Sequence, residues 1–189
     1  NAAGVTLSGT EFFNVLSTAT ITSGELATGG RLVLKSTATG TARIPVVTGS
    51  LLGNVTTETF IPAGRRAYRF LGHPFSTALS MSSLTDDIFV TGDGTVDGSA
   101  GTTGAGFDAT TTNAPSSYWF DQTTNGWKAF MTAADASWTQ YAGTRVLVRG
   151  DRTQADALTG VAYTPLAVTL DMTGAVNSGN QNIAVSNAG

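Results

Sequence analysis

Oxygen-bearing side chains alternate with glycine in Asp93-Gly94-Thr95-Val96-Asp97-Gly98, at the first, third and fifth positions of a loop whose sixth residue is glycine. Hard cations such as Ca2+ take about six to eight oxygen ligands, and a helix-flanked calcium loop needs that glycine for its sharp turn. The twelfth position, where such a loop carries a bidentate carboxylate, is Gly104. The strict motif therefore fails. A looser structural calcium site would recruit Asp86, Asp87 or Asp108, and the alternative is a plain solvated turn.

Three other constellations could do work. Glu58 lies in a strand pattern close to Arg65, Arg66 and Arg69, and the rigid donor fork of arginine suits a partly buried structural ion pair. Tyr118, Trp119, Trp127 and Trp138 could form a sugar-stacking platform. Tyr118 and Phe120 alternate with Trp119, however, so one set must be buried, and core packing is the competing reading. Arg149-Gly150-Asp151 spells an adhesive tripeptide, although Gly-Asp after a strand is ordinary turn chemistry.

Catalysis finds little footing. His73 is the sole histidine, no Gly-x-Ser-x-Gly elbow accompanies it, and most of the thirteen acids sit in turn-like sequence. The expectation is a protein that is not an enzyme, with no catalytic residue and no cofactor beyond that structural calcium.

The elements that must position these residues read as strands. In Leu52–Phe75, Val55, Thr57, Thr59 and Ile61 alternate with Thr56, Glu58 and Phe60, Pro62-Ala63-Gly64 interrupts, and an extended pattern resumes to Leu71. This predicts a hairpin. Before it, short strands are cut by glycine around Val5-Thr6-Leu7, Thr20-Ile21-Thr22 and Leu32-Val33-Leu34, near the spacing of a solenoid coil. Val5, Leu7, Ile21, Leu26, Leu32 and Leu34 would be the self-assembly residues, because so few coils cannot enclose them. Equally, these strands could belong to a sandwich formed by the remainder. After the hairpin, Ser117–Phe120, Trp127–Phe130 and Thr144–Arg149 are further strands, with Asn125-Gly126 as a turn, and only Ala133–Tyr141 suggests a short helix. The expected fold is all-β: a jelly-roll-like β-sandwich over residues 46–189, preceded by a solenoid-like, strand-exchanging segment over residues 1–45.

Composition narrows the classes. Charged residues are 12% of the chain and the net charge is −3, without a basic stripe, so nucleic acid is an unsuitable partner. The absence of cysteine removes disulfides, thiolate catalysis and cysteine-based zinc sites. No apolar run approaches the ~20 residues of a membrane span. The chain opens at Asn1 without Met or a signal peptide, which suggests a processed product or a piece of something longer.

Gly53-Asn54-Val55-Thr56, Glu58, Ile61-Pro62 and Arg65-Arg66-Ala67-Tyr68-Arg69-Phe70-Leu71, followed by Gly106–Trp127 and Gly143–Arg152, resemble blocks of secreted and cell-surface proteins of Bacteroidota exported by the type IX system. The glycine-cut text of residues 4–44 is similar to repeats that end β-helical stretches in the same proteins. This resemblance implies an extracellular or cell-surface location and a β-rich architecture, and brings no catalytic role. The expected function is a structural building block of a surface fibre or adhesin, assembled by strand stacking, with other copies or flanking domains as partners. The alternative is a carbohydrate-binding module of a larger secreted protein, with glycans as ligands.

Overall fold

The computed structural model describes residues 3–45, 47–92, 106–110, 112, 114–134, 138–159 and 161–177. The fold is all-β. The helical pieces among the described residues are single 3-10 turns at Met81–Leu84 and Ala155–Leu158. The chain divides into two units. One comprises Asn1–Ile61, Pro74–Thr77 and Thr169–Ala184, and the other Pro62–His73, Ala78–Val168 and Val185–Gly189.

The first unit is built on parallel pairing. Strands β1 (Val5–Thr6), β3 (Glu25–Ala27) and β7 (Ser50–Leu52) form one sheet in that order, with Val5 beside Leu26 and Leu26 beside Leu51. Strands β2 (Phe13–Val15), β4 (Leu32–Leu34) and β8 (Asn54–Ile61) form a second, with Phe13 beside Leu32 and Leu32 beside Val55. A parallel bridge between Thr18 and Arg43 repeats the relation a third time. Strand β13 (Val168–Ala175) flanks β8, where the Thr56 and Thr173 hydroxyls meet at 2.7 Å. Strands β5 (Ser36–Thr37) and β6 (Gly40–Thr41) form a small antiparallel pair.

Every residue of β4 is buried, which is why Leu32-Val33-Leu34 is apolar without alternation. Leu32, Leu34, Val15, Ala42 and Val55 make the core of this unit, and Leu7, Leu26 and Leu51 pack against it. The corner between β7 and β8 requires glycine. Gly53 sits at φ +96°, and a Cβ there would come within 2.7 Å of Thr28 Oγ1. That buried hydroxyl donates to the Asn54 carbonyl at 2.6 Å.

In the second unit, β9 (Ala67–Leu71), β10 (Ser117–Asp121), β11 (Gly126–Ala129) and β12 (Thr144–Val148) form an antiparallel sheet in the order β11-β10-β12-β9. Leu71, Ser117, Asp121, Thr144, Val146 and Val148 are buried, so one face of the sheet looks inward. The β10–β11 hairpin turns through residues 122–125, with Asn125 at φ +49°. Asp121 builds that turn by accepting from the Thr123 amide at 2.9 Å and the Thr124 hydroxyl at 2.8 Å.

Several expectations are corrected. Val55–Ile61 and Ala67–Leu71 are both strands, yet they do not pair as a hairpin. Both edges of β8 are taken, by β4 and β13, while β9 pairs with β12. Strands β7 and β8, expected to open a separate domain after residue 45, hydrogen-bond to β3 and β4. The described part of Ala133–Tyr141 is turn and bridge instead of helix, with Trp138 paired to Leu79.

Burial sets a direct test. Leu32 is 1% exposed and Leu16 is 72% exposed. Leu32→Ala should cost about 2–5 kcal/mol in denaturant unfolding, and Leu16→Ala should stay within about 0.5 kcal/mol. Equal losses would contradict this core.

Candidate functional site

The parallel sheets of the first unit end in unpaired strands. Among the described residues, β1 has β3 on one side only, β2 has β4 on one side only, and β7 is the opposite edge of the first sheet. The Leu7 amide donates to Ala27 at 2.8 Å and the Phe13 amide to Arg31 at 2.8 Å. In a parallel strand alternate residues face opposite neighbours, so the amides of Thr6 and Asn14 point to the open side. At β7 the Ser50 amide and the Leu52 carbonyl bond towards β3, so Leu51 presents its backbone groups outward. Val5, Phe12, Phe13 and Leu16 are exposed beside the β1/β2 edge. Val5, Leu7, Phe13, Ile21 and Leu26 also line a cleft of about 380 Å3 there. Unpaired amides next to exposed apolar side chains are what a strand-addition site requires.

The outer face of the second unit's sheet is aromatic. Register places Phe120 opposite Trp127, Tyr118 opposite Arg145, and Arg145 opposite Phe70. The Arg145 guanidinium lies 4.5 Å from the Tyr118 ring centre, 4.8 Å from Tyr68 and 4.9 Å from Trp127. Cation–π attraction thus holds the centre of the face together. Burial, with Tyr68 adding, raises the Tyr118 phenol, and Arg145 opposes that shift. Tyr68, Phe70, Phe120 and Trp127 remain exposed, Phe70 at 72%. The rings are not coplanar, with Phe70 tilted 53° and Phe120 tilted 70° to Trp127.

The candidate residues from sequence separate accordingly. Trp138 is fully buried, with its indole N–H donating to the Ala142 carbonyl at 3.0 Å, so it is core and presents nothing to a sugar. Trp119 lies on the face opposite Tyr118, and Tyr118 and Trp127 are the two expected platform residues on the aromatic face. Arg145, Tyr68, Phe70 and Phe120 were missed as members, although Tyr68/Phe70 and Tyr118/Phe120 both alternate at period two. Glu58 pairs with Lys35, and its second oxygen accepts the Ser36 amide at 3.1 Å. The ion pairs among the described residues therefore do not include Arg65, Arg66 or Arg69. Lys35 reaches Glu58 because β4 runs beside β8, a pairing distant in sequence.

Of the suggested calcium ligands, Asp93, Thr95 and Asp97 lie outside the described residues. Both oxygens of Asp108 are held by the Arg152 fork, at 2.7 and 2.8 Å, and Oδ2 also accepts the Val90 amide. Asp86 is exposed and Asp87 half-buried. The buried His73 donates from Nε2 to the Trp138 carbonyl at 3.0 Å and stands edge-on to that indole. Arg149 is 9% exposed, which hides the first side chain of the Arg-Gly-Asp tripeptide. Among the expected assembly residues, Ile21, Leu32 and Leu34 are buried within the chain, Leu7 and Leu26 half-buried, and Val5 exposed.

Asp121 gives this unit a pH response. The Lys128 ammonium, then the Thr124 hydroxyl, hold its carboxyl well below the usual range against the opposing effect of burial. A depressed folded-state value stabilises the protein above the ordinary Asp pKa of about 3.9, and that contribution is lost as pH falls below it. Asp121→Asn should therefore lower the melting temperature at pH 7 and flatten its decline between about pH 4 and 2. An unchanged acid slope would contradict the assignment. No protein-family model matches the chain, and no curated protein or solved structure matches it significantly.

Proposed function

We propose that this chain is a non-enzymatic, extracellular structural module that assembles end to end with other copies of itself. Its first unit acts as a short β-solenoid. The support is that β1, β2, β3 and β4 each pair in parallel with a strand roughly twenty residues further on, the interval of a solenoid repeat. Its second unit acts as a β-sandwich-like body. Low charge and the lack of cysteine suit a packed surface assembly, and the resemblance to type IX-exported surface proteins points to the same location.

The observation that carries this reading is the pair of unsatisfied edges on one parallel sheet, β1 at one end and β7 at the other. Edges of the same strand direction at opposite ends are complementary, so β1 of one copy continues the ladder beyond β7 of another. Such a head-to-tail contact does not close on itself and propagates as a filament. The exposed apolar side chains by β1 and β2 become buried, the outward amide of Thr6 gains a partner on β7, and that of Asn14 gains one on β13, the other edge of its own sheet.

A second reading, a carbohydrate-binding module, is favoured by the exposed aromatic face around Arg145. Because its rings are tilted, sugars would stack on single rings and not along one flat strip. Sedimentation velocity and electron microscopy over a wide concentration range separate the readings. The intact chain should form concentration-dependent linear assemblies. Thr6→Pro combined with Asn14→Pro removes only outward amides and should leave monomers with a near-unchanged melting temperature. An intact chain that is monomeric at every concentration, or a double variant that still assembles, would overturn the structural reading.

A further inference from the structure

A small polar pocket of about 220 Å3 in the second unit stands apart from the strand edges and carries two arginines, Arg66 and Arg149. The hydroxyl residues Thr110, Thr112 and Thr159 also line it, and no acidic residue does among those described. Arg149 is more than nine-tenths buried. Its Nη2 donates to Thr91 Oγ1 at 3.3 Å, and Nη1 is buried without a hydrogen-bond partner among the described residues. A buried donor of a charged group left unmatched is costly, and a second cation beside it adds repulsion. Burial first, and then the charge of Arg66, push the Arg149 guanidinium down. Arginine stays protonated at neutral pH nonetheless, so the pocket keeps its positive charge. The acid that could relieve it, Asp108, is already held by both arms of Arg152.

Two guanidinium groups side by side, one with a buried N–H unmatched among the described residues, form a cradle for an oxyanion. We propose that this pocket binds a sulfate or phosphate group, either as the free ion or as the ester of a larger ligand. Arg149 supplies the fixed, desolvated donor. Arg66, exposed at the mouth, supplies the second charge, and Thr112 lies beside it in the lining, whereas the Thr159 hydroxyl is already spent on the Asp156 carbonyl. A sulfate or phosphate group fills only part of this volume, so the pocket has room for a portion of an esterified ligand beside it.

Calorimetric titration of the intact chain with sodium sulfate, sodium phosphate, glucose 6-sulfate and glucose 6-phosphate tests this, with sodium chloride at matched ionic strength as the control. Saturable binding of at least one oxyanion is expected. Preference for the inorganic ions identifies a free-ion site, and preference for the sugar esters an esterified ligand. Arg66→Gln should weaken binding about tenfold or more, the loss expected for one charge-assisted contact. It should not lower the melting temperature, because Arg66 is exposed and its charge only repels Arg149. Arg65→Gln, a neighbouring exposed arginine outside the pocket, should bind as the parent does. No binding beyond chloride, or equal weakening by the two substitutions, would overturn the proposal.

Discussion

Parallel pairing of β4 with β8 is the constraint on which the first unit depends. It places Leu32 against Val55, both essentially unexposed, and carries Lys35 alongside Glu58. Neither contact is local. Because β8 accepts β4 on one side and β13 on the other, the strand after Pro62 is left to pair elsewhere, and β9 joins β12. The same parallel arrangement leaves β1 and β2 as edges. A parallel ladder has no hairpin with which to close itself, so its edge strands among the described residues keep one side of their backbone unpaired.

The second unit solves a different problem. Its antiparallel sheet turns Thr144, Val146, Val148 and Leu71 inward and an aromatic set outward, so strand alternation alone sorts Trp119 from Tyr118 and Phe120. Arg145 keeps the exposed rings ordered without a carboxylate, which suits a chain poor in charge. Charge is spent sparingly elsewhere too. The three ion pairs among the described residues each fix an acid that is half-buried, at Glu58 and Asp108, or buried, at Asp121.

Much of the all-β character was legible in the sequence. Period-two alternation at Val55–Ile61 and Thr144–Val148, glycine-cut short runs and Asn125-Gly126 all marked strands and turns that form. Partnership was not legible. Pro62-Ala63-Gly64 between two strands looks like a hairpin turn, and nothing local reveals that β8 is already claimed on both sides. The ion pair of Glu58 was misassigned for the same reason, since sequence proximity favoured Arg65 over Lys35. Core packing was one reading of the aromatic set, but that Trp138 is the fully buried member was not legible, because its bridge to Leu79 and its bond to Ala142 depend on tertiary placement. The Arg66–Arg149 pocket was equally hidden, as its two arginines lie far apart in the chain and meet only once β9 and β12 are paired.

End-to-end stacking makes one demand on backbone chemistry that no alternative shares: amides at the open edge must become hydrogen-bonded when copies meet. Amide hydrogen exchange at Thr6 and Asn14, followed from dilute to concentrated protein, measures it directly. The account predicts fast exchange when dilute and strong protection of both amides when concentrated, with Leu7 and Phe13 protected throughout. Exchange at Thr6 and Asn14 that does not change with concentration would contradict it.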